Sequence, residues 1–412
     1  MTETPSDLPE LDHYSPWYRD HHHEIYAAYR ERCPVGRSEA SGGFYFVTRY
    51  DDARSVLADH GRYSSLKYQD ENCDWQRGVH VPYNQQPPLL PLELDPPQAT
   101  EYRRAMAPWF TLPRAESSRC RVAELTNELI DRRIGSGELD VVLDVGNPVP
   151  AVMTLELIGL PTESWADFAM PMHEIVYAEP GSAAFQHAVE GVARIAEELA
   201  RLVAARRSDP RDDLTSTLCR AVVGGEPLAD DVVVNVLMTV LGGGVDTTTG
   251  ALAYAVDWLD RHPEQRRLLA ENPGAIAAAC DEFIRHGSPS QTLGRTVTEE
   301  TDLHGVRLRP GDRIMIPTCS ANRDESVFTD ADEVVLDRSP VRHLAFGHGV
   351  HRCIGAHLGR VELQVMLGEL LRRVPDFSVD RTRAERYPTI ALINGYIRLP
   401  ITFTPGAAES GS

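Results

Sequence analysis

One cysteine of the chain, Cys353, sits where a thiol can become a metal ligand. It lies in the stretch Leu344–Arg360, LAFGHGVHRCIGAHLGR, inside a glycine-rich turn and directly ahead of the helical pattern VELQVMLGELLRRV. A thiol just before a helix lies near the positive end of the helix dipole, which favours the thiolate, the form that binds metal. Gly347, Gly349 and Gly355 let the backbone pass close to something large and flat, and leave amide N–H groups free to point at sulfur. Two other readings compete. Most of the seven cysteines are expected to be small buried hydrophobes, and on composition alone Cys353 joins them. A structural zinc site would draw on His348, His351, Cys353 and His357, although no Cys-x-x-Cys pair occurs in the sequence.

Two further stretches carry chemistry. The run 230–263, DDVVVNVLMTVLGGGVDTTTGALAYAVDWLDRHP, is apolar on nearly all sides and predicts a buried helix. Its centre is weak: Gly242, Gly243 and Gly244 each cost about 1 kcal/mol relative to alanine, and three threonines follow. Small residues let a bulky planar group approach the backbone, while threonine hydroxyls bend a helix or hold water. Asp246 and Thr247 then form an acid–alcohol pair suited to proton delivery; the plain alternative is a glycine-kinked structural helix with Asp246 in an ion pair. Farther along, Glu282 and Arg285 stand three apart and share a helix face, a spacing that on a surface means only a weak solvated pair.

The elements that must position these residues are mostly helical. EIYAAYRER reads as an amphipathic helix, GGFYFVTRY as a strand, and DDARSVLAD as a helix capped by Asp51 or Asp52. Residues 64–94 are irregular, and Asp95-Pro96-Pro97 caps the next helix. His21, His22 and His23 at a helix start are expected to form a solvated face. RTVTEET, LHGVRL and DRIMIPT predict strands with turns at His304-Gly305 and Pro310-Gly311. IALINGYIRLPITF predicts a hairpin turning on Asn394-Gly395.

Composition bounds the function. The chain has 412 residues, 42% hydrophobic and 25% charged, which suits a globular enzyme. Its formal charge of -20 argues against broad binding to nucleic acid or to anionic membranes, and Lys67 is the only lysine. The polar, acidic N-terminus has no apolar signal region, no run of about 18 apolar residues stands out as a membrane anchor, and the odd, scattered cysteines suit a reducing compartment. A cytoplasmic protein is expected.

The pattern Phe-x-x-Gly-x-His-x-Cys-x-Gly at 346–355 resembles the haem-ligand loop of the cytochrome P450 family. Gly-Gly-x-Asp-Thr at 243–247 and Glu-x-x-Arg at 282–285 resemble two further signatures of that family, in the right order, and the likeness runs from about residue 25 to about residue 404. It implies a mainly α fold with a small β-rich region: a single P450 domain at 25–404, an N-terminal arm at 1–24 and a tail at 405–412. The implied cofactor is haem b. Cys353 would ligate the iron, Phe346 and Gly347 would shape its loop, and Arg103, Arg295 and His351 would hold the propionates. Ala99 stands where the family usually has a propionate-binding histidine.

By the same resemblance Gly243 and Gly244 open the oxygen pocket, Thr247 supplies the alcohol and Asp246 feeds it protons. Arg338 joins Glu282 and Arg285 below the haem. Substrate-lining candidates are Tyr83, Leu90, Val240, Gly243, Thr247, Leu293, Ile393 and Tyr396, with residues 165–190 as a lid. The implied reaction inserts one oxygen atom from O2 into a small apolar substrate, as in soluble bacterial terpenoid hydroxylases. Electrons would come from a ferredoxin and ferredoxin reductase docking near Arg342, His348 and Arg352. A monomer is expected, without nucleic-acid or membrane partners. A peroxide-driven haem-thiolate enzyme and a non-catalytic haem sensor or scaffold are the alternatives.

Overall fold

The long apolar run at the middle of the sequence becomes a central pair of helices, and the remaining elements wrap it in chain order. The computed structural model describes residues 8–82 and 84–409. Helices α1 (Pro16–Arg32) and α2 (Tyr50–Ala58) flank the first strands, and α3 (Gln98–Met106), α4 (Leu112–Ser117), α5 (Arg119–Ile134) and α6 (Pro148–Ile158) follow. Next come α7 (Trp165–Tyr177), α8 (Ala183–Ser208), α9 (Leu214–Arg220) and the central pair α10 (Asp230–Gly244) and α11 (Asp246–Arg261). The chain continues through α12 (Pro263–Glu271), α13 (Ile276–Gly287), α14 (Thr318–Ala321) and α15 (Ala356–Arg373).

Two large apolar clusters hold this helical body together. One gathers α5, α11, α13 and α15 around residues such as Leu252, Phe283, Met366 and Leu370. The other gathers α8, α9 and α10 around Leu199, Leu218, Val236 and Leu241. The run Val141–Ile158 and the run Asp230–Arg261 are long and apolar enough to cross a membrane by length and composition, which the sequence reading did not anticipate. Burial of 78% of the first within the fold accounts for its apolarity as core packing.

The β-rich side is a five-stranded sheet ordered Val35–Ser38, Phe44–Val47, Arg313–Pro317, Thr292–Val297, Tyr63–Ser64. Only Arg313–Pro317 against Phe44–Val47 is parallel. Thr301–Leu303 and Val306–Leu308 pair across His304 and Gly305, both at positive φ as a tight hairpin turn requires. The expected strands and both of these turns are present.

Several local expectations are overturned by tertiary contacts. The arm at 1–24 is not loose over its described part: α1 begins at Pro16, Leu8, Leu11 and Tyr18 are buried, and the Tyr29 hydroxyl donates to the Pro9 carbonyl at 2.9 Å. The tail is likewise docked, with the Gly406 N–H on the Ile134 carbonyl at 3.0 Å and Glu409 on Arg372 at 2.9 Å. Arg49, not Asp51 or Asp52, is the N-cap of α2, whose first N–H groups are met from outside by Asp324 (Tyr50 N–H to Oδ2, 2.7 Å). Asp95 does not cap α3; it accepts from the Ser65 N–H at 2.9 Å and from the Ser64 hydroxyl. The irregular stretch before it is organised by buried Glu93, which accepts from the N–H groups of Val79 and Leu89 at 2.9 Å each and lies 3.9 Å from buried Lys67.

The hairpin at Asn394-Gly395 forms differently. Tyr396–Arg398 pairs with Glu385–Arg386, so the turn is the whole loop 387–395, while Pro400–Thr402 joins a separate sheet with Ser378–Val379 and Glu138–Asp140. Part of the loop zips onto the segment ahead of Thr292–Val297, through Asn394 N–H to the Pro289 carbonyl at 2.8 Å and an Ile393–Ser290 bridge. Those long-range bonds outcompete the local two-residue turn.

The adjacent histidines are also not a solvated face. His22 is buried, and the His23 ring lies tilted against it with ring centroids 3.8 Å apart. Burial, with the Arg323 charge adding to it, lowers His22 to about 4, and the same two causes lower His286 to about 3. Both are neutral in the fold but take up protons near pH 6.5 once unfolded. The unfolded chain therefore binds more protons between roughly pH 6.5 and 4, and stability falls as pH drops through that window. The urea midpoint is expected to be lower at pH 5 than at pH 7.5, and less so in His286→Gln; equal midpoints at the two pH values would contradict this.

Candidate active site

The Cys353 loop is built by glycine conformation and by close approach. Gly347 adopts φ +67° and its N–H donates to the Leu344 carbonyl at 2.8 Å, while the Cys353 N–H donates to the Phe346 carbonyl at 2.7 Å. A Cβ on Gly349 would come within 2.7 Å of the Leu57 carbonyl, so only glycine lets the loop dock on α2. The Phe346 ring lies under the Arg360 guanidinium at 4.4 Å. Cys353 keeps accessible surface, yet burial pushes its thiol up, against the opposing pull of the Gly355 N–H and of Arg103, Arg352 and Arg360. Desolvation therefore weighs against the thiolate at this position, while the Gly355 N–H and the three arginines favour it.

Beside the loop lies a set of cationic and donor groups. Arg295 is buried, donates to the carbonyl of its neighbour Gly294 at 2.8 Å, and is pushed down to about 10 by burial. Arg103 is half-buried and donates to the Arg352 carbonyl at 2.5 Å. His351 is buried with an unpartnered Nε2, and burial first, then Arg295, Arg103 and His60, lowers it to about 3. Like charges gathered in a weakly screened interior repel one another, so this arrangement suits anionic groups among them.

Across from it the central helix is interrupted at Val245, between α10 and α11. The Thr247 hydroxyl donates to the Gly243 carbonyl at 3.1 Å and the Thr249 hydroxyl to the Val245 carbonyl at 3.0 Å, so side chains take over where the helix breaks. A Cβ on Gly243 would meet nothing within 4 Å. Gly244 behaves differently from expectation: its Cβ would lie 2.8 Å from the Thr154 hydroxyl, so it lets α10 approach α6 and does not open a pocket. Asp246 is buried, with one carboxylate oxygen 2.7 Å from His173 Nδ1 and the other without a partner.

The Glu282 and Arg285 pair is wholly buried and bidentate, at 2.7 Å on both oxygens. Arg338 Nε adds two contacts of 3.1 Å to the same carboxylate. Arg285 also donates to the carbonyls of Asn322, Ala331 and Glu333 at 2.6–2.8 Å. It thus ties α13 to the long segment that leads into the Cys353 loop.

A protein-family model described as Cytochrome P450 matches residues 162–391. Cytochrome P450 130 of Mycobacterium tuberculosis is 31% identical over 376 residues, 90% of either chain. The chain belongs to the cytochrome P450 family. Mycinamicin IV hydroxylase/epoxidase of Micromonospora griseorubida is 32% identical over 397 residues, 92% of this chain and 94% of that one. The solved structure of a mutant of P450 EryK in complex with erythromycin B matches with a TM-score of 0.83 at 28% identity, over 97% of this chain and 100% of that one. The enzyme is thus a P450 monooxygenase with the P450 fold.

The family implies a haem iron, and the residues present fit one. The Cys353 sulfur is accessible and has a backbone N–H aimed at it, Gly243 leaves open space, and a buried cationic set with an unpartnered His351 Nε2 suits carboxylates. Ala99 is buried in α3 and offers no donor there. Among the described residues no group of three or more His, Cys, Asp or Glu side chains is arranged to hold a metal ion, which leaves the zinc alternative without a ligand set.

Of the substrate candidates, Leu90 and Val240 are half-buried beside the α8–α10 cluster, and the Leu90 N–H donates to Asn235 on α10 at 3.0 Å. Leu293 and Ile393 sit at the strand Thr292–Val297 and its bridge partner. Tyr83 lies outside the described residues. Tyr396 faces Asp257 and lines a cavity of about 180 Å³ with Tyr254, Asp257 and Arg261. Asp257 lies roughly 15 Å beyond Thr247 at 1.5 Å per helical residue.

Three functional-looking groups escaped sequence reasoning. His173 meets Asp246 and Tyr387 meets His173, all from distant parts of the chain with no shared motif. Glu362 on α15 is buried beside Thr248, has an unpartnered Oε1, and is pushed up to about 8 by burial.

Proposed function

We propose that this P450 inserts one oxygen atom from O2 into a small apolar organic molecule of the secondary-metabolite type, drawing electrons from a ferredoxin and its reductase. The observation that carries this reading is the intact acid–alcohol pair at the helix interruption, Thr247 on the Gly243 carbonyl with Asp246 buried next to it. A peroxide-driven enzyme needs no such relay, and a sensor or scaffold needs neither acid nor alcohol. The half-buried apolar residues Leu90, Val240, Leu293 and Ile393 support an apolar substrate. Mycinamicin and erythromycin B, named for two relatives, support a secondary metabolite as its class.

Haem b bound through Cys353 would supply the oxygen-activating chemistry. Arg103, Arg295 and His351 would bind its propionates, and the Gly355 N–H would orient and partly neutralise the sulfur. Thr247 Oγ1 holds the proton to be delivered, and Asp246 restores it from the far side of α11. Exposed Arg342 and Arg352 near the Cys353 loop suit an acidic ferredoxin.

The test uses the holoenzyme with a ferredoxin system and any apolar compound that shifts its Soret band on binding. Thr247→Ala is expected to keep electron consumption near the wild-type rate while product per electron falls by roughly 10²-fold and peroxide rises, the scale of a lost proton-transfer group. Unchanged product yield in that variant, or peroxide supporting turnover as well as ferredoxin does, would overturn the reading.

A further inference from the structure

Asp246 is almost wholly shielded from solvent. It is buried under α7, the loop 387–395 and the strand Tyr396–Arg398, and the side chain in closest contact is His173 of α7, itself buried. His173 Nδ1 lies 2.7 Å from Asp246 Oδ1, and its Nε2 lies 3.4 Å from the Ile397 carbonyl. An oxygen that can accept thus faces each ring nitrogen, a setting that favours the imidazolium over either neutral tautomer. The Tyr387 hydroxyl stands 3.2 Å from the same Nδ1. Tyr177 meets the ring edge-on at 5.2 Å and stacks on Tyr387 at 5.5 Å, which leaves His173 one orientation.

The charges that face this ring favour the cation. Asp246 and, farther off, Asp140 both raise His173, against the desolvation that lowers it, and the net shift is upward. A buried ion pair held from both ends fixes one carboxylate oxygen of Asp246 and leaves Oδ2 without a partner. Oδ2, on the residue next to Thr247, is therefore the carboxylate oxygen left to take up or release a proton.

The geometry points to His173 as the positioning residue of the relay acid: an imidazolium carried by the lid helix α7 that, with Tyr387, holds Asp246 with Oδ2 free. This rests on Asp246 being the acid of the relay. It also couples α7 to the relay, because displacing α7 would withdraw the imidazolium.

The test compares His173→Ala, His173→Gln, Asp246→Asn and the double variant His173→Ala/Asp246→Asn as holoenzymes with a ferredoxin system. His173→Ala is expected to lower product formed per electron about 10- to 100-fold, the scale on which loss of a group that orients a functional residue acts. Substrate affinity, read from the Soret shift, should stay within about twofold, and His173→Gln should recover part of the loss through its neutral hydrogen bond. The double variant should be no slower than Asp246→Asn. Independently of turnover, ring-nitrogen NMR of the ferrous carbon monoxide form at pH 7 should show His173 doubly protonated in the wild type and neutral in Asp246→Asn. A neutral His173 in the wild type, or losses that multiply in the double variant, would overturn the proposal. Full activity in His173→Ala with a slow Asp246→Asn overturns this proposal alone; full activity in Asp246→Asn overturns the relay reading and this one together.

Discussion

Cys353→Ser is expected to abolish the strongly red-shifted Soret band of the reduced, carbon monoxide-bound protein and to lower monooxygenase turnover by about 10²- to 10³-fold or more, the scale on which loss of a preorganised electrostatic element acts. The substitution is nearly isosteric, so the loop should keep its shape: Cys353 N–H on the Phe346 carbonyl, Gly347 at φ +67°, Gly349 against Leu57. What changes is the ligand atom. Burial already pushes the Cys353 thiol up despite Gly355 and three arginines, so an alcohol of far higher pKa at the same place would not ionise in that setting. A softer test is Cys353→His, which can bind haem without sulfur and should retain colour while losing the red-shifted band. An unchanged spectrum in either variant would mean that another group ligates the iron, and the role proposed for the loop would fall with it.

The second large effect is on folding. Arg285→Ala is expected to destabilise the protein by about 3–5 kcal/mol, because it leaves the Glu282 carboxylate buried without its bidentate partner. Three carbonyls, of Asn322, Ala331 and Glu333, would lose their donor as well. Against a usual total of about 5–15 kcal/mol, that leaves little margin. Arg285→Lys keeps the charge but not the planar fork, and should fall between the two. Urea denaturation read by circular dichroism measures the loss. Replacing both partners, as in Glu282→Gln/Arg285→Met, should cost less than the sum of the single changes, because neither member of the pair is left facing the other's vacancy, although Arg338 loses its carboxylate. An Arg285→Ala protein with a wild-type midpoint would show that the buried set contributes little.

The parts of the site legible in the sequence share one property: their chemistry is local in the chain. Phe346 to Gly355 lie within one loop, Gly243 to Thr247 within two helical turns, and Glu282 and Arg285 within one. A spacing of that kind states its own geometry. Gly244 shows the limit even there, because which neighbour a glycine must admit, haem or Thr154, depends on how α6 packs. The caps of α2 and α3 and the loop 387–395 differ from the local expectation for a related reason. Local propensity proposed a cap or a tight turn, and distant partners such as Asp324 and Pro289 supplied better hydrogen bonds.

By itself, then, the sequence determined the mainly helical class, the family, the thiol loop, the weak centre of the long helix and the buried charge pair, since each is encoded by residue type at short spacing. Only the tertiary structure decided what surrounds them. It brought His173, 73 positions upstream, onto Asp246, set Tyr387, from near the C-terminus, on the same His173 ring, placed Glu362 against Thr248 and turned Tyr396 toward Asp257. Periodicity and propensity describe a residue's relation to its chain neighbours, whereas desolvation and long-range hydrogen bonds depend on which surfaces meet, and that is set only when the helices pack.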